Sequence, residues 1–269
     1  MPHTYYTTLI STTNLAERLA AAPGSVLVFD CRFDLAAPEA GEAAYAQGHI
    51  PGAHYLHLDR DLSGAKTGKN GRHPLPERAA LVAKLASFGL NEGQQVVVYD
   101  AQDGMYAARL WWLLRWLGHD SIAVLDGGLP AWEAAGNALE TEKPAKSQGT
   151  FKAAAPLQVT IDAQAIERSI GTCDHLIIDA RAADRYRGEN ETLDAVGGHI
   201  PGAVNRFFKL NLSDEGRFKT AHELREAFTS LAGETPAAPR GALSRFVERM
   251  ERRSETPRRD WRQTLTIAI

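Results

Sequence analysis

The string Gly48-His49-Ile50-Pro51-Gly52-Ala53 returns unchanged as Gly198-His199-Ile200-Pro201-Gly202-Ala203, 150 positions later. Each copy follows an apolar run that ends in an acid and an arginine, Val26-Leu27-Val28-Phe29-Asp30-Cys31-Arg32 and Leu176-Ile177-Ile178-Asp179-Ala180-Arg181, at an offset of 149. Two anchors at nearly one offset define a tandem repeat, so the chain must fold as two copies of one plan. A single such hexapeptide would be only a turn, with proline fixing φ and glycine supplying positive φ.

The 269 residues suffice for two domains that each bury a core. The expected division is 1–142, a linker at 143–156 rich in Lys, Ala and Pro, and 157–269. With 44% apolar and 23% charged residues and a net charge of -3, the composition has no general pull toward nucleic acid or a membrane. No apolar run reaches the length of a membrane span, and the start of the chain lacks a signal-peptide pattern. Two cysteines, Cys31 and Cys173, one per repeat, suit a reducing compartment, so a cytoplasmic protein is predicted. Charge is unevenly placed: 240–262 carries eight Arg, no Lys and four acids, against 22 bases and 29 acids before it.

Short apolar runs read as strands, the first entered through Pro23-Gly24 and of the kind buried on both faces: Val26–Phe29, Val96–Asp100, the run from Ile122, and the run at Leu176. Between them lie predicted helices at 8–22, with Ser11 or Thr12 as cap, at 75–90, and at 110–119 after the tight turn Asp100–Arg109. The second repeat has predicted helices at 162–169 and 221–231, with a long loop from Arg181 to Gly197. This alternation predicts α/β domains with a parallel sheet flanked by helices.

The duplicated turn beside Asp-x-Arg, together with Asp126-Gly127-Gly128 and the following Trp132, resembles the two-domain rhodanese-like sulfurtransferases, which act on thiosulfate or 3-mercaptopyruvate. The resemblance runs from residue 5 to 239. It implies two rhodanese-like domains, the first non-catalytic and the second truncated, atypical from 240 onward. It also implies transfer of sulfane sulfur from a small anionic donor to cyanide or a thiol, with no cofactor and no metal.

That chemistry runs through a cysteine persulfide on a strand-to-helix turn, Cys-x-x-Gly-x-x-Ala, where backbone amides and a helix N-terminus favour the thiolate. Asp100 holds the matching position in the first repeat. Aligning the helix around Leu81–Leu85 with Leu224–Phe228 puts the second-repeat counterpart near Leu243, with no cysteine there and no strand before it. The chain is therefore expected to be catalytically silent, or to serve as a non-catalytic anion- or partner-binding module. Either a shift of reading frame after Pro239 or true divergence would explain the ending, and the arginine-only tail favours the former. Leu243, Phe246, Val247 and Met250 share one helical face, which would cover the second sheet or dock a partner.

Cys31 is expected to be a small buried residue, and Cys173 stands beside an acid that would raise its pKa. By resemblance Arg185 binds the donor anion, with Arg187 a less specific second candidate, and a guanidinium suits a sulfur oxyanion or a carboxylate. Leu193 or Asp194 stands where the mercaptopyruvate branch has another arginine, which leans toward thiosulfate. Asp61 and His73 resemble a proton-handling pair of that branch; His73 reads equally as a solvated loop histidine. His49 and His199 are expected to stabilise their turns, and the Asp30–Arg32 and Asp179–Arg181 pairs to be structural. Asp126-Gly127-Gly128 lacks the rest of a phosphate loop, and neither cysteine has the downstream arginine of a cysteine phosphatase.

Overall fold

A computed structural model of the chain describes residues 5–22, 24–68, 70–171, 176–192, 196–233 and 267–268. It divides into two compact units, Met1–Gln158 and Val159–Ile269.

The first unit is an all-parallel sheet in the order β1-β5-β4-β2-β3. Its strands are β1 (Leu9–Ile10), β2 (Val26–Asp30), β3 (Ala53–Tyr55), β4 (Gln95–Tyr99) and β5 (Ile122–Leu125). Its helices are α1 (Thr12–Ala21), α2 (Ala40–Gln47), α3 (Arg78–Ala86), α4 (Ala107–Trp116) and α5 (Gly128–Ala134). Alternate residues of the central strands feed two cores. Leu27, Phe29, Val96 and Val98 pack with Leu81, Leu85, Leu110 and Leu114 on one face. Val26, Val28, Val97 and Tyr99 pack with Leu15, Leu129 and Trp132 on the other. Both faces are covered, so the strands read as unbroken apolar runs, and each such side chain contributes roughly 1.5–3 kcal/mol by burial.

Caps set the helix starts. Ser11 accepts the Asn14 amide, and Glu77 accepts those of Ala79 and Ala80, so α3 begins at Arg78, inside the broader span the sequence predicts. The polar stretch before the first hexapeptide contains α2, which lacks the apolar stripe that would announce it. Residues 143–156, expected as a linker, belong to the first unit as a strap. The amides of Gly149, Phe151 and Ala154 donate to the carbonyls of Ala86, Leu90 and Leu117 at 2.7, 3.0 and 2.8 Å, and Phe151 enters the core. Gly118, at φ +89, makes room for it: a Cβ there would stand 2.8 Å from Ala154.

The second unit repeats the plan with α6 (Ala163–Ser169), β6 (Ile178–Asp179), α7 (Ala183–Arg187), β7 (Val204–Asn205), a 3-10 turn at Phe208–Asn211, α8 (Ala221–Gly233) and β8 (Ile267–Ala268). Its described sheet is parallel, ordered β7-β6-β8. Leu176 and Ile178 pack with Val204, Phe228 and Leu231. Thr220 and Glu223 form a capping box before α8.

Register makes the duplication explicit. Phe29 and Asp30 face His54 and Tyr55 on one side and Val98 and Tyr99 on the other. Ile178 and Asp179 face Val204 and Asn205, and then Ile267 and Ala268. The place of β4 is thus filled by β8, from a stretch where no strand is predicted from residue order. Leu243 and the apolar stripe from Leu243 to Met250 lie outside the described residues.

Candidate functional site

The duplicated turns share one internal scaffold. Arg32 forks onto Asp30 and donates to the Gly48 carbonyl at 2.7 Å; Arg181 forks onto Asp179 and donates to the Gly198 carbonyl at 2.6 Å. Tyr45 and Tyr186 donate their hydroxyls to the carbonyls of Ala53 and Ala203. His49 and His199 stack on those tyrosines and bond their carbonyls through Nδ1. These residues lock the sheet end, as expected for structural pairs. The copies differ in cover: Glu140 bridges the backbone of His49, which is fully buried, whereas His199 is exposed.

Past β4 in the first unit, the loop to α4 curls around the Asp100 carboxylate. The amides of Gln102 and Gly104 donate to one oxygen, both at 2.9 Å, and those of Tyr106 and Ala107 to the other at 2.8 and 2.9 Å. Asp103 and Gly104 adopt positive φ (63° and 80°) to turn those amides inward, and the α4 N-terminus adds its dipole. Asp100 is fully buried. Burial pushes its carboxyl above the usual range, against the downward pull of the four amides. Gly128 closes the site from behind: Leu129 donates to the Asp100 carbonyl, and a Cβ at Gly128 would stand 2.4 Å from that oxygen. This loop is a finished anion cradle, and the chain's own carboxylate fills it.

In the second unit β8 holds the register of β4, and the residue that follows it in sequence, as Asp100 follows Tyr99, is Ile269. Cys31 is buried beside Tyr99, with its thiol pushed well up by burial, then by Asp30 and Asp100, the reverse of what a nucleophile needs. Cys173, Leu193 and Asp194 lie outside the described residues.

Arg185 sits on α7. Its Nε and Nη2 clasp Glu191, with contacts of 3.1, 3.0 and 2.8 Å, and Glu191 also lies 3.6 Å from Arg181 Nη1. Arg187 pairs with Glu189 on the exposed rim. The two arginines are on one short helix, but only Arg185 turns toward the Asp179–Arg181 scaffold.

Asp61 and His73 have separate partners. Asp61 accepts from Lys84 at 2.7 Å and from the His57 amide at 2.9 Å. His73 Nε2 stands 3.3 Å from Asp59, which also faces Lys66 at 3.4 Å. Arg109, half-buried, holds this loop by donating to the carbonyls of Leu62, His73 and Pro74. Sequence reasoning missed Asp59, Arg109 and Glu191; Asp59 lies in a turn at 58–61, and only its place two residues before Asp61 could have drawn attention to it. Burial holds the His73 pKa below its ordinary value, with Asp59 pulling it up and Lys66, Arg109 and Arg72 pushing it down. Asp59→Asn should therefore lower the His73 pKa further in an NMR titration, whereas Asp61→Asn should leave it in place; the opposite pattern would return the pairing to Asp61.

Taken by its geometry, the chain is a duplicated α/β protein whose loops at the carboxyl end of a parallel sheet turn amides and arginines onto negative charge. Its relatives make that class specific. The model of the rhodanese-like domain matches residues 11–135. A probable 3-mercaptopyruvate sulfurtransferase of Pseudomonas aeruginosa is 44% identical over 225 residues, which is 83% of this chain and 78% of the relative. The thiosulfate sulfurtransferase of Bos taurus is 31% identical over 231 residues, 83% of this chain and 76% of the relative. The crystal structure of SseA from Escherichia coli, a 3-mercaptopyruvate sulfotransferase by its description, matches with a TM-score of 0.70 at 29% identity over 84% of both chains. The 3-mercaptopyruvate sulfurtransferase of Leishmania major gives 0.71 at 28% identity, covering 84% of this chain and 62% of that one. The chain belongs to the rhodanese-like sulfurtransferase family. No described helix is long and apolar enough to cross a membrane.

Proposed function

We propose that the chain binds a small anionic sulfur donor at Arg185 and, as its sequence stands, does not itself turn over sulfur. In the family reaction a thiolate attacks the outer sulfur of thiosulfate, the S–S bond breaks and sulfite leaves; the resulting persulfide gives its outer sulfur to cyanide or a thiol and the thiolate returns. The observation that carries the silent reading is the position after the central strand. It is Asp100 in the first copy, already bonded to four amides, and in the second copy the sequence holds no cysteine from Asp174 to its last residue, Ile269. A carboxylate holds no transferable sulfur. Cys31 is buried, and Cys173 precedes β6 in sequence rather than following a central strand.

Purified protein of verified mass, given thiosulfate and cyanide and then 3-mercaptopyruvate and cyanide, should yield thiocyanate no faster than a protein-free control. Thiosulfate should still bind in calorimetry, and Arg185→Ala should abolish that binding. Turnover that disappears in Cys173→Ser would overturn the silent reading, and retained binding in Arg185→Ala would overturn the assignment of the anion site. A Cys-x-x-Gly-x-x-Ala turn in another reading frame of the gene past Pro239 would identify the tail as the product of a frame shift.

A further inference from the structure

We infer that Glu191 is the resident counter-ion of Arg185, and that an anionic ligand binds this arginine by displacing the Glu191 carboxylate. The inference rests on the reading of Arg185 as the anion site.

A two-oxygen anion is held best on one edge of a guanidinium, through two parallel N–H donors. On Arg185 the Nε–Nη2 edge is already taken by both oxygens of Glu191. The Glu191 side chain is only 5% exposed, and it stands between Arg185 and the Nη1 of Arg181, which is itself fixed on Asp179 and the Gly198 carbonyl. Glu191 therefore gives the cluster what a bound sulfur anion would give it: two oxygens on the fork and negative charge between two cations. Its approach is set by the backbone. Gly188, in the left-handed conformation at φ 76, ends α7, and a Cβ on it would stand 3.0 Å from the Gly198 amide; one on Gly197 would stand 3.1 Å from the Gly188 Cα and 3.3 Å from the Glu191 Cβ. These contacts are tighter than a Cβ ordinarily makes, and Gly188 has in addition a positive φ that suits glycine, so the pair forms a narrow neck beside Glu191. Among the described residues Asp179 and Glu191 are set against Arg181 and Arg185, so a ligand anion takes the Arg185 fork only as the Glu191 carboxylate leaves it. This occupant parallels the first unit, where Asp100 fills the cradle of its own loop.

The test is calorimetric titration of the full chain with sodium thiosulfate at constant ionic strength, comparing wild type, Glu191→Gln, Arg185→Gln and the double variant. Neutralising Glu191 should tighten thiosulfate about tenfold, because a charge-assisted fork is replaced by a weaker neutral one. Arg185→Gln should abolish binding in both backgrounds. If Glu191→Gln binds equally or more weakly while Arg185→Gln still abolishes binding, Glu191 merely positions the arginine; the displacement idea falls and the Arg185 site stands. If Arg185→Gln changes nothing in either background, the anion-site reading falls and takes this inference with it. Should Glu191→Gln lose the wild-type circular dichroism spectrum, Glu191→Asp replaces it. Its shorter arm reaches the fork less well, so it should bind thiosulfate more tightly than wild type, and affinity at or below wild type would reject displacement.

Discussion

Asp100→Ala should destabilise the first unit by roughly 3–5 kcal/mol, one of the two largest effects expected of a single substitution outside the apolar core. The substitution removes the acceptor of four amides at once, those of Tyr106 and Ala107 buried and those of Gln102 and Gly104 partly so. Each orphaned buried donor costs about 1–3 kcal/mol, and relaxation of the loop offsets part of the sum. Asp100→Asn keeps a carbonyl for one pair of amides but turns an NH2 toward the other, so about 2 kcal/mol is expected. Urea unfolding followed by tryptophan fluorescence reports on the right region, since Trp111, Trp112, Trp116 and Trp132 all belong to this unit. A loss below about 1 kcal/mol in the alanine variant would mean that the loop fills its cradle with water, and that the carboxylate is an incidental occupant.

Asp30→Ala should cost roughly 3–5 kcal/mol, and its equivalent in the other copy, Asp179→Ala, about 1–2 kcal/mol. The motif is the same and the surroundings differ. Asp30 is fully buried and is bonded by Arg32 and by the Tyr99 hydroxyl at 2.8 Å, so its loss strands a buried guanidinium. The Arg181 side chain is 31% exposed, and Glu191 stands 3.6 Å away as a second counter-ion. Hydrogen exchange of the amides in β2 and β6 measures the two losses separately within each protein, independently of whether the units unfold together. Equal losses would show that burial does not decide the strength of this pair.

The duplication, the parallel sheet and its helices were legible from residue order because repeated letters and apolar periodicity are local properties. The Asp-x-Arg pairs could be read as structural for the same reason: their two charges are two residues apart, and each arginine also donates to the first carbonyl of the hexapeptide turn that follows. Cys31 as a small buried residue followed from its place at the end of a buried strand. The helix α2 was missed because its short, alanine-rich stretch lacks an apolar stripe, and the strap at 143–156 because it is held by backbone bonds to Ala86, Leu90 and Leu117 that leave no mark in its composition.

The candidate sites were legible by position and not by partner. Arg185 could be chosen by its motif, but the fork it makes on Glu191 depends on the Gly188–Gly197 neck. His73 could be singled out with a carboxylate, but choosing Asp59 over Asp61 requires the direction of each side chain, and Lys84 from α3 settles the fate of Asp61. Sequence by itself determined that this protein is two copies of one α/β plan and that neither of its cysteines occupies the nucleophile's place in the first copy. Only the tertiary structure decided that the first cradle is filled by Asp100 and that β8 stands where β4 stands. The reason is physical: period and spacing arise between neighbours along the chain, whereas the register of β2 on β4 and of β6 on β8 joins residues 69 and 89 positions apart, and the partners a carboxylate finds depend on directions of side chains and amides that are set only when the loops have folded.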